Sequence, residues 1–257
     1  MDGPAAVISL VLAETAAGGT ALLWLTRLWG RVKRGYFILT EAVILGCALL
    51  AVLAASGAVS LGEEGRTAIL LASVAAGVLG VSLVAMVLRA DAAGRALGFL
   101  AVPATLASLV GFARVAGPSV GVSVLQLMAG AAFMGAVTDG LLLGHWYLTD
   151  RRLPREHIQR YATLLIAAVG LEAVAVLLLG FGPTETSPEI NPFLSIAGLS
   201  TWLALGMVAC TALIAFLIRS ALRSPRTRAV QAATGFFYLA VITAFTAEMA
   251  AKVRFLG

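Results

Sequence analysis

Charge is what this sequence has least of. Only 12% of its 257 residues are charged and 60% are apolar, whereas water-soluble domains have about 25% charged and 45 to 50% apolar residues. This balance argues against a water-soluble fold. The net charge of +5 does not indicate nucleic acid, because the basic residues border apolar runs and form no separate basic domain with interleaved aromatics. We therefore expect a lipid bilayer around this protein.

Cysteine and histidine are also scarce. Cys47 and Cys210 lie within apolar runs, which excludes a disulfide framework and a paired-cysteine metal site. Two histidines, His145 and His157, are too few for a two-haem cytochrome with four axial ligands. A single haem on His145 with a different second ligand is the remaining haem alternative. Phosphate-binding glycine loops, HExxH and GxSxG are absent as well, so we expect no metal held by this chain.

Long apolar runs dominate the sequence. Eight of them reach about 20 residues, enough to cross a hydrocarbon core of roughly 30 Å. They cover residues 5–26, 36–59, 67–88, 96–116, 120–148, 160–182, 194–218 and 229–251. Pro103 interrupts the fourth, but proline is tolerated in membrane helices. The sequence predicts one all-α domain, residues 1–257, with eight transmembrane helices, short connections and no internal repeat.

Basic residues alternate from one connection to the next. All but four of the eighteen Lys and Arg residues fall in one alternate set of connections, and the exceptions are Arg66, Arg114, Lys252 and Arg254. Short loops rich in Lys and Arg stay on the cytoplasmic side. We therefore expect both termini outside, no basic residue at a span centre, and a location in the bacterial cytoplasmic (inner) membrane.

Five carboxylates lie inside the apolar runs: Glu14, Glu41, Asp139, Glu172 and Glu248. An acid in a bilayer costs about 2.5 to 3.5 kcal/mol on insertion scales, so it usually faces other helices and indicates a functional site. At about 1.5 Å per residue, Glu14 and Glu172 lie nearest the midplane. Small residues share the helix faces of most of these acids, which favours contact with protein.

Two interpretations of the acids remain open. They could relay protons or serve a quinone whose redox chemistry exchanges protons, or they could only fix helix packing. Glu41 lies near a span end, where it could reach interfacial water or Lys33 and Arg34. Glu248 precedes Lys252 by four residues, a favourable ion-pair spacing.

Aromatic residues follow His145 in the sequence GHWYLTD. His145, Trp146 and Tyr147 together suggest an interfacial anchor, because such rings favour the headgroup region. Asp139 precedes them on the same span and could lead protons toward His145, while His157 is expected in the connection that follows.

Three segments carry a family resemblance: LAETAAGGTALLWL (12–25), FMGAVTDGLLLGHWYL (133–148) and YLAVITAFTAEMAAKVRFLG (238–257). With eight spans and outside termini, they resemble the membrane anchor subunits of dimethyl sulfoxide reductase and polysulfide reductase type enzymes. The resemblance implies a haem-free subunit that interacts with quinone and holds an iron-sulfur subunit and a catalytic redox subunit. Glu14 would be the polar position of the first span, Glu248 the acid of the last, and Arg254 the basic residue after it.

The chain also departs from that family's pattern. The first-span position is often an amide there, and the histidine expected near the outer ends of the second and third spans is missing, where this sequence reads SGAVSLGEEGRTA. A polar outer cluster suits a docking face for the partner subunits; its members are Glu63, Glu64, Arg66, Glu185, Glu189, Asn191 and Arg254. A proton-coupled transporter or exporter of a small solute is the alternative function, and an assembly factor without its own site is a third.

Overall fold

A computed structural model describes residues 3–58, 62–116, 119–150, 152–179, 196–224 and 228–253. These ranges contain eight helices: α1 (Gly3–Trp29), α2 (Arg34–Ala58), α3 (Glu63–Val87), α4 (Asp91–Ala116), α5 (Val120–Thr149), α6 (Glu156–Leu179), α7 (Ile196–Arg223) and α8 (Ala229–Lys252). All eight are long and apolar enough to cross a membrane. The prediction of an all-α chain with eight helices of membrane-spanning length is confirmed within the described residues.

Helix boundaries differ from the predicted spans by a few residues. The fourth helix continues through Pro103. The sixth begins at Glu156, so His157 is helical, and its prediction as a connection residue is wrong. Helices extend beyond their apolar runs because polar residues can continue a helix past the hydrocarbon region. The acidic segment GPTETSPEINP and the residues around it, 180–195, lie outside the described residues.

The eight helices form two rings of four. In the first ring, α1 packs on α2, α2 on α3, α3 on α4, and α4 closes the ring against α1. In the second, α5 to α8 pack in the same order, and α8 closes the ring against α5. The two rings meet mainly through α1 and α5. The architecture therefore repeats, although the sequence shows no repeat, because helix number and connection order are shared while side chains are not.

Glycine allows the two rings to meet at backbone distance. A Cβ atom on Gly18 of α1 would lie 1.7 Å from the carbonyl oxygen of Ala131 on α5, and one on Gly135 would lie 2.4 Å from the carbonyl carbon of Gly18. Small residues at such positions let membrane helices approach closely. We call this contact of α1 with α5 the seam.

Consecutive helices run in opposite directions, which gives the bundle two distinct ends. The terminal end is where α1 begins and α8 ends; the opposite, basic end carries Trp29, Arg34, Glu156 and Arg223. Matching contacts fix these directions, since α5 meets α8 at Gly130 with Glu248 and at Gly144 with Thr234.

Candidate functional site

Four ionisable side chains meet inside the bundle beside the seam. Glu14, Glu248 and Lys252 are 0% exposed, and Glu172 is 1% exposed. The Lys252 Nζ atom lies 2.8 Å from Glu14 Oε1 and 2.7 Å from Glu248 Oε2. The carboxyl group of Glu172 interacts electrostatically with Glu248 and Lys252. We call these four residues the charge cluster.

Three helices supply the charge cluster, and a fourth makes room for it. Glu14 comes from α1, Glu172 from α6, and Glu248 and Lys252 from α8. On α5, a Cβ atom at Gly130 would lie 2.5 Å from Glu14 Oε1 and 2.9 Å from Glu248 Oε2. The carboxyl groups therefore occupy space that a side chain on α5 would need.

Lys252 reaches the cluster from the end of its helix. It is the last residue of α8, and helical side chains tilt toward the N-terminus of their helix. Its four-carbon chain therefore runs back into the bundle, where it donates a hydrogen bond to Glu248, one turn earlier. The sequence prediction that placed Lys252 among the outer loop residues is wrong.

Formal charge does not balance in the cluster. One ammonium neutralises one carboxylate, and an unpaired charge away from water is costly unless it is neutralised. With three carboxyl groups present, neutrality requires two bound protons. Glu14 Oε2, Glu248 Oε1 and both oxygens of Glu172 accept no hydrogen bond from the described residues. Nor do the described ranges contain a group of three or more His, Cys, Asp or Glu residues placed to hold a metal.

A second polar group lies nearer the basic end. Tyr161 donates a hydrogen bond of 3.3 Å to Asp139 Oδ2, and its hydroxyl lies 2.6 Å from Thr26 Oγ1. Asp139, Tyr161 and Thr26 are all 0% exposed. Asp139 follows Gly130 by nine residues on α5, which separates the two groups by roughly 13 Å along the helix. Asp139 therefore belongs to a separate site.

His145 does not extend that second group. It is exposed, and its Nδ1 atom lies 3.0 Å from the hydroxyl of Tyr238. Six helical residues place His145 and Asp139 on different helix faces, so a proton path between them stays a prediction. Tyr147 is buried and its hydroxyl donates a hydrogen bond to the carbonyl of Pro154; its role as an interfacial anchor stays a prediction.

Glu41 is buried without the basic partners that its position suggested. Lys33 lies 2.9 Å from Asp150, and Arg34 lies 3.7 Å from Asp91. Asp150 lies in the connection after α5 and Asp91 is the first residue of α4. These two acids, and not Glu41, pair with the two cations. Glu41 is 0% exposed on α2, in the first ring, apart from the charge cluster. Its explanation as a span-end acid paired with Lys33 or Arg34 is wrong.

Further buried polar residues continue from the charge cluster toward the terminal end. Gln126 precedes Gly130 by one turn of α5 and is 1% exposed, and Ser123 precedes Gln126 by three residues and is 2% exposed. Neither amide atom of Gln126 has a hydrogen-bond partner in the described part of the chain. Sequence reasoning missed Gln126; an amide inside an apolar run was the signal.

Of the remaining candidates, Arg254 lies outside the described residues. So do Glu185, Glu189 and Asn191 of the predicted docking face. Glu63, Glu64 and Arg66 are exposed at the terminal end, which leaves the docking face a prediction.

No protein-family model, no curated protein and no solved structure matches this chain. The resemblance to anchor subunits therefore rests on the three sequence segments. Their described parts lie on α1, α5 and α8, and these three helices pack against one another. Segments 12–25 and 238–257 contribute Glu14, Glu248 and Lys252 to the charge cluster, while segment 133–148 contributes Asp139 of the second polar group.

Proposed function

We propose that this protein is the membrane anchor subunit of a respiratory oxidoreductase complex, that it interacts with quinone, and that it exchanges protons at the charge cluster. The observation that carries the proposal is the excess of two carboxyl groups over ammonium groups in a site closed to water. Such a site stays neutral only by binding protons, and small changes nearby alter how many it holds.

Placement supports a role in proton movement. The charge cluster lies toward the terminal end, and Asp139 with Tyr161 lies toward the basic end along the same seam. Gln126 and Ser123 continue the line of buried polar groups to the first turn of α5. A separation of roughly 13 Å between the charge cluster and Asp139 requires intervening water for proton transfer. Quinone turnover requires proton transfer, because quinone reduction takes up protons and quinol oxidation releases them.

The anchor role is supported by the resemblance of three segments that meet in the structure. We place the protein in the bacterial cytoplasmic membrane with both termini outside, following the distribution of basic residues. Partner subunits carrying iron-sulfur and catalytic redox centres would supply the electrons. This chain would bind no haem.

Purification from the native membrane in mild detergent tests the anchor role. We expect an iron-sulfur protein and a catalytic redox subunit to copurify, and quinone to be extractable from the complex. A haem absorbance band in the purified chain would contradict the haem-free assignment. Isolation of the chain with neither redox partners nor quinone would contradict the anchor role itself.

Neutralising one cluster acid tests proton exchange directly. Glu172→Gln should lower quinone turnover at least tenfold while membrane insertion is preserved, because a buried neutral amide costs about as much as the protonated acid that it replaces and less than an ionised one. Its infrared spectrum should lose a protonated carboxyl band. Glu41→Gln, which changes a buried acid outside the cluster, is the matched control and should retain turnover. Equal loss of expression and activity in Glu172→Gln would indicate a packing role.

The repeated rings favour a second candidate, a proton-coupled transporter. Many transporters consist of two structural repeats with the coupling site between them. Here the ion pair of Glu14 with Lys252 joins the first ring to the second. Solute uptake by the reconstituted protein alone, lost on neutralising Asp139 or Glu172, would establish this function in place of the first.

A further inference from the structure

A groove opens at the basic end of the bundle, beside α6 and α7 and next to the end of α1. Its volume is about 680 Å³. Leucines form much of its wall, and arginines stand along its rim. Its lining includes Leu25, Trp29, Arg160, Leu164, Arg219 and Arg223.

Two of the arginines are held in position by neutral partners. Arg219 donates a hydrogen bond of 2.9 Å to the hydroxyl of Thr163 on α6. The guanidinium of Arg160 lies over the ring of Trp29, 5.2 Å from its centroid. Neither contact neutralises a positive charge, so both guanidinium groups are positioned yet uncompensated.

The three groove arginines have no carboxylate partner in the described residues, unlike other basic residues at the same end. Lys33 and Arg34 each have a carboxylate within 4.0 Å. Within the described ranges, no carboxylate lies at ion-pair distance from Arg160, Arg219 or Arg223. Glu156 also lines the groove, but three arginines leave the net charge of the rim positive.

The charged and apolar residues of the groove lie at depths that match the headgroup and the acyl chain of a lipid. Arg160 and Arg219 each lie four residues from the basic end of their helices, about 6 Å along the axis. Leu164 follows Arg160 by one turn, deeper in the bundle, and Leu25 lines the same groove from α1. The charged rim at Arg160 therefore lies within about 6 Å of the apolar wall at Leu164, measured along the helix axis.

We propose that this groove binds one anionic phospholipid, with its phosphate at Arg160, Arg219 and Arg223 and an acyl chain against Leu25 and Leu164. Arginine forks match phosphate oxygens in geometry and charge. Basic pockets between membrane helices on the cytoplasmic side are suited to anionic headgroups. A neutral quinone would leave the three charges uncompensated. The site is independent of the proton chemistry at the charge cluster.

Native mass spectrometry of the purified, delipidated protein tests the site. When either lipid is added back to this protein, phosphatidylglycerol should be retained at least tenfold more than phosphatidylcholine of the same chain length. Arg160→Gln with Arg219→Gln should abolish that preference. The matched control is Arg89→Gln with Arg95→Gln, which removes two exposed arginines from the same end but outside the groove. Both double variants lower the nonspecific attraction of anionic lipid by a similar amount, because each basic residue near the surface contributes roughly equally. The control should therefore keep the preference for phosphatidylglycerol within about twofold.

A second variant separates a lipid site from a site for free phosphate. Leu164→Trp fills the apolar wall and leaves all three arginines, so it should weaken phosphatidylglycerol retention at least fivefold; it also decides the outcome if the double arginine variant fails to fold. Inorganic phosphate at equal concentration should not displace the lipid. Displacement by phosphate together with unchanged retention in Leu164→Trp would overturn the proposal. So would equal retention of the two lipids, or equal losses in the two double arginine variants.

Discussion

Lys252 and Glu14 belong to opposite rings of the bundle, yet Lys252 Nζ lies 2.8 Å from Glu14 Oε1. The same ammonium bonds Glu248 on its own helix. An ion pair that crosses between two packed units links their contact to the protonation of the site. Removing one partner from a buried pair leaves an uncompensated charge, whereas removing both does not.

Lys252→Met should therefore destabilise the protein by about 3 kcal/mol, the lower part of the range for breaking a buried pair. Adding Glu14→Gln to it should recover at least half of that loss, because the site then holds one carboxyl group fewer to neutralise. Unfolding in detergent, followed by loss of helical circular dichroism, measures both effects. Lys33→Met, which removes an exposed lysine, is the control and should cost less than about 1 kcal/mol.

The outcome for the double variant decides the interpretation. If Lys252→Met with Glu14→Gln loses the sum of the two single effects, then Glu14 and Lys252 contribute independently. The cluster would in that case not act as a unit.

Gly18→Ala should break the seam. Its new Cβ atom would lie 1.7 Å from a backbone oxygen, and backbone cannot move aside as a side chain end can. We expect a loss of about 3 kcal/mol, the upper part of the usual range for overpacking, measured by thermal unfolding in detergent. Gly170→Ala is the matched control, because nothing lies within 4 Å of its new Cβ; it should be neutral or stabilising by up to about 1 kcal/mol. Equal stability of the two variants would contradict the seam's close contact.

Helix number followed from the sequence because each span is encoded locally. A run of apolar residues long enough to cross a bilayer needs no information about its neighbours, and even Pro103 did not alter that signal. The ring arrangement and the approach of Gly18 to Ala131 depend on contacts between distant residues. Spacing placed Gly18 on the face of Glu14 and so predicted a protein contact there, but in a chain with 27 glycines it could not indicate that α5 was the partner.

Tyr161→Phe should disturb Asp139 while leaving the helix packing intact. The change removes the hydroxyl that bonds Asp139 Oδ2 and contacts Thr26, so a buried carboxyl loses its donor. We expect a loss of about 1 to 3 kcal/mol, as for an unsatisfied buried polar group, in the same unfolding assay. Tyr238→Phe removes an exposed hydroxyl that faces His145 and should change stability by less than about 0.5 kcal/mol. Indistinguishable variants would show that the Tyr161 contact contributes nothing.

A site residue could be predicted when its own side chain is unusual for its surroundings in the sequence, but not when its role depends on a contact with a distant residue. Glu14, Glu172 and Glu248 could be recognised because an acid is rare in an apolar run. The ion pair of Glu248 with Lys252 was predicted from their four-residue spacing and is confirmed, but the burial of Lys252 was not predicted, since a basic residue at the end of a span usually reaches the headgroup region. Its burial depends on the direction of the side chain and on Glu14, 238 positions away in the sequence, which no spacing rule indicates.

Asp150 provides a pH-dependent contribution at the basic end, outside the membrane-spanning helices. A hydrogen bond from Lys33, 2.9 Å away, lowers the pKa of the Asp150 carboxyl. A lowered pKa in the folded state means that the stabilisation is present above the ordinary aspartate pKa of about 3.9 and is lost as pH falls through the lower, folded value. Unfolding of the wild type should therefore become easier as pH falls below about 4, by more than in Asp150→Asn. Lys33→Met should remove the same difference, because it removes the donor. If the wild type and Asp150→Asn showed parallel stability curves across that range, the ion pair would make no contribution to folding.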